Sequence, residues 1–281
     1  MIEYKTFSFQ GVKGAYSELA GKKLYPKANS IPCKTFEEMF DSVKKNESKI
    51  ALVPIENSRA GRVADTQRLI PNSKLKIIGE YFLEVNHCLL ALPGSSIKDV
   101  RRIHSHEQAI AQCRNNIIKN KKDMVVAADT AGAAKMISEL RNKEDAAIAS
   151  NLAAQTYNLD VLVKNFQDLE NNITRFLIMS NDLLMPNINE KNIMTTLIFE
   201  LKSIPAALYK SLGGLANNGV NMTKIESYID PKGFDVVQFY ADIEGHPNSQ
   251  NVKLALQEMK FFCKHIDILG VYKMSDFRKN N

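Results

Sequence analysis

The sequence predicts an α/β protein built from two unequal modules. Over about the first 180 residues, apolar strands alternate with amphipathic helices, which is the pattern of α/β folds. The length of this part is typical of two lobes rather than one. A polar, proline-containing segment over 181–192 follows as a linker, and the remaining residues give the order β-α-β-β-α-β of a ferredoxin-like unit.

The composition restricts the class of partner. The net charge of the 281 residues is +6, but lysines are interspersed with acidic residues rather than clustered, so we expect no nucleic acid and mild attraction for an anionic metabolite. The first residues are predicted to be a strand rather than a signal peptide, and no apolar stretch is long enough to span a bilayer, so we expect a cytoplasmic protein without membrane contact. The four cysteines are far apart, which predicts neither disulfides nor a metal site.

Two strands of the first module are followed by segments that could contact a ligand. The predicted strand 4–9 leads to Gly11 and Gly14, and the helix that follows could offer its free N–H groups to an anion. An ordinary strand-to-helix turn explains the two glycines equally well. The buried strand 50–54 leads to Glu56 and Asn57, at the strand end where open α/β sheets place their ligands, although asparagine is also common in turns.

The middle of this module contains further polar candidates. A single histidine in an apolar strand, as His87 is predicted to be, is more often a hydrogen-bonded core residue than an acid or base. Ser105 is predicted to cap a helix, in which Gln108 and Gln112 share one face and four apolar residues form another: Ala109, Ile110, Cys113 and Ile117. Capping explains Ser105 fully, and it is compatible with Ser105 and Gln112 both pointing into a cleft.

The run from Asn171 to Met179 is predicted to be a strand with a polar beginning. Its apolar part starts at Phe176, directly after Thr174 and Arg175. A hydroxyl donor and a fixed cation at the beginning of a rigid strand are suited to holding a small anion. The preference of β-branched residues for strands is the alternative explanation for Thr174.

Seven segments together resemble the prephenate dehydratase family, which includes the arogenate dehydratases. They occur in the family's order across nearly the whole chain: 11–17, 54–61, 87–90, 105–113, 129–135, 172–176 and 221–227. The resemblance implies a catalytic domain over 1–182, with two α/β lobes facing across a cleft as in periplasmic binding proteins and a second lobe over about 80–165. It implies that residues 193–275 form an ACT domain, the module that binds amino-acid effectors in this family.

The resemblance also implies roles for individual residues. Thr174 would donate to the leaving hydroxyl of prephenate, in a reaction that needs no cofactor or metal. Arg175 would hold a carboxylate, or would instead brace the loop through an ion pair. The other residues implied around the substrate are Glu56, Asn57, Ser105, Gln112 and Phe176.

In the C-terminal module the resemblance implies a site for L-phenylalanine and assembly into a homodimer or homotetramer. Family members that respond to phenylalanine have Gly-Ala-Leu at the first helix and Glu-Ser-Arg-Pro after the second strand, whereas this chain has alanine at 206 and Tyr-Ile at 228–229. These departures leave the strength of regulation open. The implied effector residues are Ala206, Ala207, Leu208, Asn221, Glu226 and Ser227.

Three hypotheses about the function stay open at this point. A monofunctional prephenate dehydratase is the first, since no further helical module precedes the first strand. Arogenate as substrate is the second, and a non-enzymatic metabolite sensor, which would not need the hydroxyl of Thr174, is the third.

Overall fold

A computed structural model describes residues 3–229 and 237–279. Up to residue 180 the elements are β1 (Thr6–Gln10), α1 (Tyr16–Leu24), β2 (Asn29–Cys33), α2 (Phe36–Lys44), β3 (Ile50–Asn57), β4 (Gly61–Arg62), α3 (Ala64–Ser73), β5 (Lys76–Glu84), β6 (Cys88–Ala91), β7 (Arg102–Ser105), α4 (Glu107–Gln112), α5 (Arg114–Lys119), β8 (Asp123–Val126), α6 (Thr130–Leu140), β9 (Asp145–Ala149), α7 (Asn151–Tyr157), β10 (Asp160–Val163) and β11 (Ile173–Ser180).

The C-terminal part of the chain supplies the remaining elements: β12 (Ile193–Leu201), α8 (Ala207–Asn217), β13 (Met222–Ile229), β14 (Val237–Glu244), α9 (Gln250–Lys260), β15 (Cys263–Lys273) and a 3₁₀ turn (Asp276–Lys279). The described residues divide into two compact units. The first contains residues 3–66 and 82–176, and the second contains 67–81, 177–229 and 237–279. None of the helices within the described ranges combines the length and the apolar character that a membrane-spanning helix requires.

The first unit contains two lobes, each built on its own sheet. In one lobe β1 pairs in parallel with both β2 and β3, and β11 lies on the other side of β3. The other lobe has the strand order β10-β6-β9-β7-β8, in which β9, β7 and β8 are parallel. Strands buried on both faces read as continuous apolar runs, and β3 and β9 are of this kind. The predicted two-lobed α/β architecture is confirmed.

The second unit contains the predicted βαββαβ module. Its sheet has the antiparallel order β13-β14-β12-β15, and residues of α8 and α9 form one apolar core with the sheet. The ferredoxin-like arrangement is therefore confirmed. In the same unit β15 also pairs in parallel with β5, where Gly270 lies opposite Ile77. A Cβ atom at position 270 would lie 2.1 Å from the carbonyl oxygen of Ile77, so only glycine fits there.

The structure also contains elements that the sequence did not predict. Helix α3 has a proline in its interior, β7 contains a single aliphatic residue, and β10 lies in a stretch interpreted as a connection. Proline favours the first position of a helix, so the sequence predicts that the first helix of this module opens at Pro205, but α8 begins at Ala207. For the strand predicted over 234–244, residues 234–236 lie outside the described residues.

Candidate functional site

A cleft of about 540 Å³ lies between the two lobes of the first unit. Strand ends and helix beginnings line it, as expected for an α/β fold. Four of the predicted substrate-binding or catalytic residues lie on its wall: Asn57, Gln112, Thr174 and Phe176. A second cavity of about 410 Å³ shares Gln112 and Asn172 with the cleft.

The end of β3 and the start of β11 are fastened to each other beside the cleft. The backbone N–H of Ser58 donates to the carbonyl of Ile173 at 2.8 Å, and the N–H of Ile173 donates to the Ser58 hydroxyl at 2.9 Å. The same hydroxyl donates to the carbonyl of Asn171 at 2.9 Å. These three hydrogen bonds fix the beginning of β11, and therefore Thr174, relative to Asn57.

The orientation of the Asn57 amide is fixed by two backbone donors. Its Oδ1 accepts from the N–H groups of Arg59 and Ala60, each at 2.8 Å. Because a backbone N–H cannot act as an acceptor, the other end of the amide must be the nitrogen. That nitrogen donates to Asn172 Oδ1 at 2.7 Å and to Thr174 Oγ1 at 2.9 Å. Thr174 is thus an acceptor toward Asn57, and its hydroxyl proton is available to a ligand.

The same direction of donation continues through a second pair of amides. Asn172, which is 3% exposed, uses its Oδ1 toward Asn57, so its Nδ2 is the group that donates to Gln112 Oε1 at 2.6 Å. Gln112 Oε1 also lies 2.9 Å from His87 Nε2. Within the described residues, the amide nitrogen of Gln112 has no hydrogen-bond partner and remains available to the cleft.

Thr174 and Arg175 face opposite sides of β11. Side chains alternate along a strand, so Thr174 and Phe176 line the cleft while Arg175 lies on the other face. Arg175 is 1% exposed, pairs with Glu56 at 3.0 Å, and has its guanidinium 6.0 Å from the ring centre of Phe82. Neither Arg175 nor Glu56 lines the cleft, so the geometry favours the bracing role of Arg175 over contact with a ligand.

Ser105 does not cap the helix that follows it. It is the last residue of β7, is fully buried, and donates its hydroxyl to the carbonyl of Ile148 at 2.6 Å. His106 caps α4 instead, by accepting from the N–H of Gln108. The predicted capping by Ser105 is wrong, and Ser105 is not among the residues that line the cleft. The predicted apolar face of this segment is confirmed, although the helix is interrupted at Cys113.

The cleft offers hydrogen-bond donors to an anion, and two carboxylates, Asp65 and Asp129, also line it. Helices α1, α3 and α6 all begin at its wall, through Ala15, Ala64 and Thr130, and helix N-termini carry partial positive charge. No side chain of the described residues caps α1, so its first N–H groups are free for a ligand. Of the described residues that line the cleft, Arg62 alone is a lysine or arginine.

The loop before α1 requires one glycine for geometric reasons. Gly14 has a φ of +87°, and a Cβ atom there would lie 2.8 Å from Cα of Ala153 in the other lobe. Its carbonyl accepts from Ser150 at 2.6 Å, and its N–H donates to the buried Glu18 at 2.6 Å. The glycine at position 14 therefore allows a close approach between the two lobes of the first unit.

Sequence reasoning missed two parts of the site. Asn172 was noted in the run but was not assigned a role, and its central position depends on contacts with residues 60 and 115 positions away. Tyr16, whose hydroxyl lies 2.8 Å from His87 Nδ1, carried no signal in its local sequence.

The predicted effector residues lie in the second unit. Ala206 is the N-cap of α8 and has left-handed backbone angles, φ 57° and ψ 30°, and no side chain of the described residues caps this helix. The carboxylate of Glu226 pairs with Lys224 at 3.1 Å and accepts from the amide of Gln67. Asn221 and Ser227 are exposed on or beside β13.

No group of three or more His, Cys, Asp or Glu side chains among the described residues is arranged to hold a metal ion.

Comparison with known proteins gives a consistent result. The sequence profile of the family described as Prephenate dehydratase matches residues 7–183. A bifunctional N-acyl-homoserine lactone acylase/prephenate dehydratase of Komagataeibacter europaeus is 45% identical over 98% of this chain and 98% of its own length. Arogenate dehydratase 2 of Petunia hybrida is 38% identical over 94% of this chain and 71% of its own length.

A solved structure agrees with these sequence relatives. The crystal structure of prephenate dehydratase from Arthrobacter aurescens, in complex with L-Phe, superposes with a TM-score of 0.88 at 30% identity and covers 96% of this chain and 90% of the other.

Proposed function

This chain belongs to the prephenate dehydratase family and is a lyase, and we propose that its reaction is the decarboxylative dehydration of prephenate to phenylpyruvate, in the synthesis of L-phenylalanine. In that reaction the bond between the ring and its carboxylate breaks and carbon dioxide leaves. The electron pair of that bond completes the aromatic ring as the carbon–oxygen bond to the ring hydroxyl breaks. The departing hydroxyl takes up a proton and leaves as water.

The observation that carries the proposal is the direction of the hydrogen bond at Thr174. Because Asn57 donates to Thr174 Oγ1, the threonine proton can be directed at the departing hydroxyl. The pKa of a threonine hydroxyl is far above neutrality, so Thr174 stabilises the departing oxygen by hydrogen bonding, and the proton that completes the water molecule comes from solvent. Assistance of this kind typically contributes about 10²–10⁴-fold to a rate, and a preorganised polar cleft adds to it.

The two carboxylates of prephenate would be held by groups on both lobes. The free N–H groups at the start of α1, the guanidinium of Arg62 and the amide nitrogen of Gln112 are the donors that line the cleft. Arg175 takes no part in this proposal, because its guanidinium is buried against Glu56.

Arogenate is the alternative substrate, supported by the Petunia relative. Arogenate differs from prephenate in carrying an amino group in place of the keto oxygen, and the mechanism at Thr174 would be unchanged. A second candidate activity, hydrolysis of N-acyl-homoserine lactones, is supported by the name of the Komagataeibacter relative, whose 45% identity extends over nearly the full length of both chains.

The test compares product formation from prephenate, arogenate and an N-acyl-homoserine lactone by the purified protein. Rapid release of phenylpyruvate from prephenate supports the proposal, and phenylalanine formed only from arogenate changes the substrate but not the mechanism. Release of free homoserine lactone would add the second activity. Tight binding of prephenate without turnover of any substrate would overturn the enzymatic proposal in favour of a sensor.

We propose further that catalysis belongs to residues 1–182 and that residues 193–275 bind L-phenylalanine. The uncapped first turn of α8 could receive the carboxylate of an amino acid, and the carboxylate of Glu226 could receive its ammonium group. The A. aurescens structure in complex with L-Phe supports this choice of effector.

Titration calorimetry tests the effector site directly. We expect L-phenylalanine to bind the native chain and to bind Glu226→Gln at least tenfold more weakly, with Glu190→Gln as the surface control. Equal binding by the native chain and Glu226→Gln would exclude Glu226. We also propose a cytoplasmic homodimer or homotetramer, and the assembly state can be measured by light scattering with and without L-phenylalanine.

A further inference from the structure

Tyr16 and His87 line the cleft next to the chain of amides formed by Asn57, Asn172 and Gln112. The His87 ring is 3% exposed, and its Nε2 is 2.9 Å from Gln112 Oε1. On the other side of the ring, Nδ1 is 2.8 Å from the hydroxyl of Tyr16, and the two rings meet edge to face with centres 5.5 Å apart. The backbone of His87 is held as well, since its N–H donates to Gln167 and its carbonyl accepts from Phe166.

The hydrogen-bond directions determine the protonation of this ring. Gln112 presents its oxygen to His87, because the same oxygen accepts from Asn172. His87 Nε2 must therefore carry a proton. Burial lowers the pKa of His87, so the ring is neutral near pH 7, and Nδ1 is then the acceptor. The Tyr16 hydroxyl is the donor that meets Nδ1 at 2.8 Å, and the carbonyl of Asn86, at 3.1 Å, is a second acceptor for the same proton. Burial raises the pKa of Tyr16, so the hydroxyl stays protonated.

These hydrogen bonds fix the orientation of the Gln112 amide. An isolated glutamine side chain can turn its amide over at little cost, and would then offer its oxygen to the cleft. Here two donors, Asn172 and His87, converge on the oxygen and disfavour that alternative. Both N–H donors of the amide are left for a ligand that presents an acceptor, such as a carboxylate or keto oxygen.

We propose that Tyr16 and His87 are positioning residues, which fix the Gln112 amide with its –NH₂ group toward the cleft as a donor to the anionic substrate. The inference rests on the proposed function for its effect on turnover. The state of the His87 ring is independent of turnover, so it can be tested even if the substrate proves to be another one.

A double-mutant cycle tests the effect on turnover. Gln112→Ala should lower kcat/KM for prephenate by about 10–100-fold, since a donor to a charged group is lost. His87→Leu should lower kcat/KM by about 10-fold, mainly through KM. If His87 acts through Gln112, the double variant should resemble Gln112→Ala alone within about threefold. Fully multiplicative losses in the double variant would overturn the proposal.

Two histidine replacements separate positioning from packing. In His87→Gln the side-chain nitrogen can reach the place of Nε2, so kcat/KM should recover to within about threefold of the native value. In His87→Asn the amide is one carbon shorter and cannot reach Gln112, so the loss should persist. Equal activity of the two variants at equal thermal stability would contradict the proposed role.

Nitrogen NMR of protein with isotope-labelled histidine measures the protonation of the two ring nitrogens of His87. The His87 signals are assigned by their absence in His87→Gln. We expect a neutral ring protonated at Nε2 at pH 7, and a mixture of tautomers in Tyr16→Phe. A ring protonated at Nδ1 alone, or a charged ring at pH 7, would overturn the proposal. A native chain that is inactive on prephenate but has the expected ring would contradict only the proposed function.

Discussion

The beginning of β11 and the beginning of α8 differ in how closely their residues match those typical of the family. At β11 the family's Asn-x-Thr-Arg-Phe run is intact, and Asn57 donates both to Asn172 Oδ1 at 2.7 Å and to Thr174 Oγ1 at 2.9 Å. At α8 the family's glycine is replaced by Ala206, yet the backbone keeps the left-handed angles that suit glycine. The site proposed for catalysis therefore keeps the family's residues, whereas the site proposed for regulation has an alanine in a backbone conformation that suits glycine.

The largest effect on turnover is expected when the hydroxyl of Thr174 is removed. Thr174→Val has nearly the same shape and lacks the donor, and it should lower kcat by at least about 10²-fold. Thr174→Ser keeps the hydroxyl and is the matched control, with expected activity within about tenfold of the native value. The measurement is phenylpyruvate formation at saturating prephenate, and near-normal turnover by the valine variant would remove Thr174 from the mechanism.

The neighbouring residue on the same strand should respond differently. Arg175→Met removes the buried guanidinium and leaves Glu56 partly exposed, so the free energy of unfolding should fall by about 2 kcal/mol rather than by the larger amounts seen when a charge is stranded in a core. Urea unfolding measures this loss. Because Arg175 does not line the cleft, KM for prephenate should stay within about threefold in the folded variant. A tenfold rise in KM without loss of stability would instead assign Arg175 to the substrate.

A third prediction concerns the pH dependence of stability. The pKa of folded His87 lies below its ordinary value because the ring is buried, so between pH 6.5 and that lower pKa the unfolded chain binds more protons than the folded chain. Stability should therefore fall as the pH drops through this range. The difference in unfolding free energy between the native chain and His87→Gln isolates this contribution. An identical pH dependence for both proteins would show that the pKa of His87 is not lowered.

The two sites also show what the sequence could and could not predict. Alternating strands and helices and the βαββαβ order were predicted from the hydrophobic pattern, and the meeting of Asn57, Gln112 and Thr174 at one cleft was implied by the family resemblance. The role of Asn172 was not, since it depends on which way two amides point. The direction of these amides is set by the backbone N–H groups of Arg59 and Ala60, which no residue pattern reveals.

Ser105 shows a different reason for failure. Its predicted cap depended on a helix beginning next to it, but strand β7 extends through Ser105 and turns the hydroxyl to Ile148. With one aliphatic residue in four, β7 gives no hydrophobic period from which a strand could be predicted. Long-range pairing with β8 and β9 supplies the missing stabilisation.

The smallest expected effect is at the second site. Ala206 holds a conformation that costs an L-residue about 1–2 kcal/mol, and glycine would relieve this while losing more entropy on folding. Ala206→Gly should therefore stabilise the chain by up to about 1 kcal/mol, or about 2–4 °C in Tm. Thermal unfolding measures the gain, and Ala216→Gly, within α8, is the control that should lower Tm instead.

The same replacement can also be tested for its effect on inhibition by L-phenylalanine. If the alanine Cβ keeps an effector from approaching the first turn of α8, then Ala206→Gly combined with Tyr228→Arg should lower the concentration of L-phenylalanine that gives half-maximal inhibition. Turnover without effector should not change, because Ala206 belongs to the second unit and the described residues that line the cleft belong to the first. An unchanged response, together with the expected gain in Tm, would mean that position 206 affects the backbone of α8 but not its ligand.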